Sequence, residues 1–266
     1  MPWPFELVFA GFAASYASYF LARGVINQLY PAVSAEQRQV AAHAVACLAH
    51  NVIVSAMAVS MTPWRALLLD GEPLWHARVE GFDVPAAMSA GFFVFDLILS
   101  HLWVPFSWLM IAHHVLSFAC WTCSVWVAFA QPWIAYCLAT EISSIFLSTR
   151  TLVGALGDKK GSAYAQVTGA FGASFILVRT LPIPLLARTW LNSPPFGVVC
   201  GTSRVARSMG WMSLLPLLLN TVWSVQLIRK AAREGMTEPR PSESQGKVGA
   251  RQSGLANGGF DAKRKS

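Results

Sequence analysis

The side chains in this sequence able to move a proton, hold a charge or ligate an ion are few, and most sit inside long apolar runs. They are His43 and His50, Asp96, the adjacent pair His113-His114, Glu141, Arg150 and Arg179. An ionisable group in a hydrocarbon layer costs about 3 kcal/mol unless it faces a cavity or a partner, so each is a candidate for function. His113 and His114 are neighbours about 100° apart on a helix. At most one can point at a given substrate, and the other must support it or pack. Ser117, at i+4 and i+3 from the pair, makes that face polar. Imidazole can transfer protons or accept an acyl group near neutral pH, which makes His113 and His114 the leading catalytic candidates, with Asp96 placed to orient one of them.

His43, Cys47 and His50 fall at i, i+4 and i+7, one stripe of a helix. Such a stripe could offer three ligands to zinc, but two turns spread the outer ones about 10 Å along the axis, too far for one tetrahedral ion. Packing histidines are expected instead, and no metal. The five cysteines are an odd number, and Cys120-Trp-Thr-Cys123 has the spacing of a redox or metal pair without a second pair to complete it. They are read as small buried residues. Glu141, Ser144 and Ser148 form a polar face, whereas Arg150, nine residues after Glu141, points the opposite way. A Glu141–Arg150 ion pair is therefore not expected; Arg150 either snorkels to headgroups or holds the phosphates of a donor.

The elements that must position these residues are membrane spans. Hydrophobic residues make up 55% of the 266 and charged ones 12%, too little polar surface to coat a soluble globule of this length. The apolar residues fall in blocks matching a hydrocarbon core about 30 Å thick. The expected fold is an all-α polytopic transmembrane helix bundle of about seven spans, six to eight allowed, near 5–22, 40–62, 86–104, 109–130, 132–149, 163–187 and 211–229. The fourth and fifth meet at Gln131 and Pro132, which leaves a tight hairpin or one kinked, partly re-entrant segment. The first block lacks a basic n-region and is read as a retained helix.

Residues 1–39 are read as an N-terminal helix and loop, 40–233 as the main membrane domain, and 234–266, rich in Gly, Ser, Pro, Lys and Arg, as a disordered basic tail. Nine of the twenty basic residues lie in 229–266, so the net charge of +7 belongs to the end of the chain rather than to a stripe for nucleic acid. Arg229-Lys230-Ala-Ala-Arg233 suits a helix leaving into the cytosol above anionic lipid, which puts the C-terminus in the cytosol and the N-terminus in a lumen.

These segments resemble the TLC domain, the family of the ceramide synthases, the translocating-chain-associating proteins and a group of smaller TLC-domain proteins. Arg38-Gln-Val-Ala-Ala-His43 looks like the family's histidine near a helix start, and Gly91-Phe-Phe-Val-Phe-Asp96-Leu is similar to its Gly-Tyr-Phe-x-x-Asp-Leu segment. Ala112-His113-His114-Val-Leu-Ser117 resembles the His-His motif, and Glu141 through Arg150 resembles its Glu-x-Ser helix. Phe175-Ile-Leu-Val-Arg179 and Leu219-Asn220-Thr-Val-Trp223 look like its closing motifs. The ceramide synthases' longer motif places His-Asp and a second Asp before the glutamate, where this chain has Trp133-Ile134 and Cys137. The chain therefore looks more like the small TLC-domain proteins.

The resemblance implies a role in membrane lipid metabolism or homeostasis at the endoplasmic reticulum, and the ending Lys263-Arg264-Lys265-Ser266 is close to a di-lysine retrieval signal. Two readings stand. In one, the chain is an acyl-CoA-dependent lipid acyltransferase using a histidine of the pair, with His43, Glu141 and Arg150 binding substrate. In the other it is a non-enzymatic lipid-binding, trafficking or regulatory protein. Membrane lipids and acyl-CoA as co-substrate are the expected partners; no bound cofactor and no nucleic acid are expected.

Overall fold

Among the described residues, which in this computed structural model are 5–72, 74–103, 108–157, 159–192, 211–212 and 214–237, the regular structure is entirely helical. α1 (Phe5–Leu29) lies against α3 (Asp83–Trp103) and α2 (Ala35–Met61). Two glycines set the α1–α3 crossing. A Cβ on Gly11 would fall 2.7 Å from the Met88 carbonyl oxygen, and one on Gly91 would fall 2.1 Å from that of Val8. Backbone meets backbone there, the packing that small residues permit between helices in lipid.

α2 starts before its apolar run, because Ser34 and Gln37 form a reciprocal capping box. Its small face, Ala41, Ala42, Ala44 and Ala46, is buried, and Asn51 Nδ2 donates to Ser148 Oγ at 3.2 Å on α6 (Ile142–Leu156). α3 continues the bundle into α4 (Trp108–Val127), and these two helices carry Asp96 and the histidine pair.

Of the two alternatives for the junction of the fourth and fifth expected spans, the structure has the tight hairpin, but its turn lies at Ala128–Ala130, just before Gln131-Pro132, which begin the next helix. Ala128 and Ala130 both take positive φ, 48° and 58°, and reverse the chain into α5 (Gln131–Ala139). The turn is pinned from the preceding loop: Ala130 N donates to Trp75 O at 2.8 Å, Val79 N donates to Gln131 Oε1 at 2.9 Å, and Trp75 stacks on Trp133. Pro132 sits in the first turn of α5, where its missing N–H has no helical partner to lose.

The expectation of one continuous helix over 132–149 is corrected here. α5 ends at Ala139, and α6 begins at Ile142, with Thr140 and Glu141 between them. At nine residues α5 is about 13.5 Å long, too short to cross a bilayer alone, and nearly all of it is buried as the centre of the bundle.

α7 (Ser162–Phe175) passes into a π-helical turn, Ile176–Thr180, and then α8 (Ile183–Asn192). α9 (Leu214–Thr237) meets that turn through Thr180 Oγ1 and Ser224 Oγ, 2.8 Å apart. Four segments, Phe5–Leu29, Ala35–Met61, Trp108–Val127 and Ser162–Asn192, are by themselves long and apolar enough to cross a membrane. The other expected spans fall on α3, on α5 with α6, and on α9. Large apolar side chains face outward on several helices, among them Phe9, Leu21, Ile53, Leu177 and Leu218. On a soluble protein so much exposed apolar surface would be an aggregation site; on a membrane protein it is the lipid-facing surface.

The chain divides into two compact units, Met1–Leu227 and Ile228–Ser266. α1 packs within the first. In the second, the described residues 228–237 are helical, with Arg229, Lys230 and Arg233 exposed. The remainder of the expected tail, and the basic ending at 263–266, lie outside the described residues.

Candidate functional site

Asp96 is where three helices meet. Its Oδ1 accepts from Nε2 of His43 on α2, and its Oδ2 accepts from Nδ1 of His114 on α4 at 2.9 Å. A carboxylate among apolar helices, 7% exposed, is held there only if both oxygens find donors. Gly91, five residues earlier on the same helix, lets α3 approach α1 closely. Cys47, one turn after His43, brings its Sγ to 3.6 Å from His43 Nε2.

His114 is thus committed to Asp96, and its neighbour faces elsewhere. His113 lies in the wall of a cavity between α4, α5, the π-helical turn and α9. Its ring meets those of Phe93, His114 and Trp223, and its nitrogens have no protein hydrogen-bond partner among the described residues. The indole N–H of Trp121, also in that wall, has no acceptor there.

The polar end of the cavity is an ion pair. Arg179 Nη2 lies 3.1 Å from Glu141 Oε1, and the guanidinium also donates to Ser143 Oγ at 2.9 Å and Ser144 Oγ at 3.2 Å. Glu141 is exposed to this space because it stands at the break between α5 and α6. Arg179 reaches it from the π-helical turn, and Tyr136 Oη donates to the Val178 carbonyl at 2.7 Å beside it. Single π turns inside helices frequently accompany functional sites. Ser117, Thr140 and Asn220 add polar groups to the lining, and the remainder, including Leu116, Leu215, Leu219 and Trp223, is largely apolar.

The candidates from sequence therefore separate into two neighbouring groups. His43, Asp96 and His114 form a hydrogen-bonded chain; His113 and Glu141 line the cavity. The structure takes Arg150 away from both, placing its Nε 3.0 Å from Thr168 Oγ1 and its guanidinium over the Tyr164 ring, where it joins α6 to α7. His50 stacks on Phe92 with centroids 3.9 Å apart and lies 3.3 Å from Ser89 Oγ, a packed histidine. The described cysteines, Cys47, Cys120, Cys123 and Cys137, are all unbridged. Sequence reasoning missed the pairing of Arg179 with Glu141 and the part played by Cys137, Asn220 and Trp223 in the cavity wall. The signal for the first was available: Glu141 and Arg179 are opposite charges on separate apolar spans, and each needs a partner.

The TLC domain model matches residues 51–229. The chain belongs to the TLC-domain family. No curated protein and no solved structure matches it. The matched TLC segment contains Asp96, His113, His114, Glu141, Arg179, Asn220 and Trp223, so both the cavity and the carboxylate at the helix junction lie within the family domain. His43 and Cys47 precede its first matched residue. A TLC domain together with its long apolar helices makes the chain an integral membrane protein.

Proposed function

We propose that the cavity beside His113 holds an acyl lipid and that the chain is an acyl-CoA-dependent lipid acyltransferase of the endoplasmic reticulum. The observation that carries this reading is the division of labour within the histidine pair. His114 is tied to a buried carboxylate, while His113 stands in the cavity wall with no protein partner for its nitrogens. A histidine with a free nitrogen in a mostly apolar cavity is suited to take the proton from an acceptor's hydroxyl or amine as that atom attacks the thioester carbonyl. The C–S bond breaks, the new ester or amide forms, and the proton passes on to the coenzyme A thiolate. His114, positioned through Asp96 and His43, keeps α4 in register beneath it.

One observation favours the binding reading instead. Asp96 contacts His114 and not His113, so the cavity histidine lacks the carboxylate that commonly orients a catalytic imidazole. With Glu141 and Arg179 neutralising each other, the cavity also suits retention of a lipid without chemistry.

The test uses purified full-length protein in nanodiscs, labelled acyl-CoA and a panel of sphingoid bases and lysophospholipids. His113→Ala is expected to lower product formation about 100-fold or more, the usual worth of a positioned base, with helical content unchanged. Wild type that forms no product with any acceptor, yet co-purifies with lipid that His113→Ala does not retain, would establish the binding reading. Localisation is read with an internal tag that leaves the C-terminus free; accumulation at the plasma membrane would overturn the endoplasmic-reticulum assignment.

A further inference from the structure

The geometry points to a metal site at His43, Cys47 and Asp96 that takes one zinc ion or a similar borderline-soft divalent cation. This inference rests on the α2–α3 contact alone and stands whether or not the cavity beside His113 carries out acyl transfer.

One ligand atom from each of these residues lies within 4.8 Å of the other two. His43 and Cys47, at i and i+4, present an imidazole and a thiol on the same face of α2, with Sγ 3.6 Å from Nε2 and 3.8 Å from Nδ1. A tetrahedron built on Zn–S of about 2.3 Å and Zn–N of about 2.0–2.1 Å has an S···N edge of roughly 3.6 Å. The objection to a zinc ion on His43, Cys47 and His50 was distance along one helix. It does not apply here, because the third ligand comes from a second helix at the level of the first two. In this structure Asp96 hydrogen-bonds His43 directly, and a small rotation of either side chain would admit an ion between them.

Charge favours this set over others in the bundle. A thiolate and a carboxylate cancel a divalent cation, and a neutral imidazole adds nothing, so the loaded site carries no net charge among apolar helices. Without the cation, Asp96 relies on the imidazoles alone. The outer shell is also present: Asp96 Oδ2 accepts from His114 Nδ1 at 2.9 Å, the kind of second interaction that orients a ligating carboxylate. Three protein ligands leave a fourth position for water or for an oxygen of a lipid headgroup. His43 is eight residues from the start of α2, about 12 Å along its axis, and is 18% exposed, so an ion arriving from that end has a short path.

The test is metal loading of the full-length protein in nanodiscs. After chelator treatment and reloading, elemental analysis should find one zinc per chain. Cobalt in its place should give the ultraviolet thiolate-to-cobalt charge-transfer band that reports a cysteine ligand. Cys47→Ala should abolish that band, and both it and Asp96→Asn should weaken zinc binding by more than about 100-fold, beyond the 10–100-fold typical of losing an outer-shell group. His50→Ala, on the same stripe but packed against Phe92, should bind as wild type does. No stoichiometric metal in the wild type would overturn the proposal without reference to any variant. So would a cobalt complex lacking the thiolate band, or equal affinity in folded Cys47→Ala.

Discussion

At Glu141 and Arg179 two charges inside the bundle, Arg179 buried and Glu141 half-buried at the cavity, answer each other across 38 positions of sequence. Removing one member leaves the other uncompensated among apolar helices, which costs about 3–5 kcal/mol, whereas replacing both can be nearly neutral. Arg179→Met alone should therefore destabilise the purified protein strongly, and the double variant Glu141→Gln with Arg179→Met should recover most of the loss in thermal unfolding. Equal stability of the single and double variants would mean that the pair does not hold the cavity end together. A second residue-scale expectation separates the histidines: His114→Ala should lower stability by leaving an Asp96 oxygen without its donor, and His113→Ala should not. The residues that matter were legible in sequence as ionisable groups in apolar runs. Their partners were not, because an interhelical pair leaves no spacing signature. Intrahelical spacing correctly argued against Glu141–Arg150 but had no means of choosing Arg179, or of adding Asp96 to His43 and Cys47.

At the scale of the elements, the crossing of α1 and α3 positions Asp96, and Gly91 is its tightest point. Gly91→Ala would place a methyl 2.1 Å from the Val8 carbonyl oxygen and 2.6 Å from the Phe12 nitrogen, backbone atoms that cannot step aside without moving α1. The expected cost is about 1–3 kcal/mol. Gly24→Ala, with nothing within 4 Å, is the control that should be neutral or slightly stabilising. Indistinguishable unfolding of the two variants would contradict the close crossing. The helices themselves were readable from their apolar blocks, since backbone groups in lipid must pair within the segment. The break between α5 and α6 was not, because Thr140-Glu141 contains neither Gly nor Pro and lies inside a continuous apolar stretch. The start of α2 was missed for the opposite reason: Ser34 through Gln37 is polar and capped, so a hydropathy window passes over it.

At the scale of the whole molecule, the described residues form a lipid-facing bundle with a polar-ended cavity, and α9 carries a basic segment. Arg229, Lys230 and Arg233 are exposed, which suits an anionic cytosolic leaflet. In intact microsomes a C-terminal tag should accordingly be cleaved by added protease, and an N-terminal tag protected; the reverse pattern would invert the orientation of the bundle. A transferase and a binding protein alike would hold an acyl chain in the space beside His113. The most direct measurement is photo-crosslinking of the wild-type protein in nanodiscs with a photoactivatable acyl-lipid probe, followed by peptide mapping. Labels are expected on the cavity faces of α4 and α9, near His113, Cys120, Leu219 and Trp223, and should decline when unlabelled acyl lipid competes. Labels confined to outward-facing residues such as Phe9, Ile53 and Leu177, unchanged by competitor, would contradict acyl binding there.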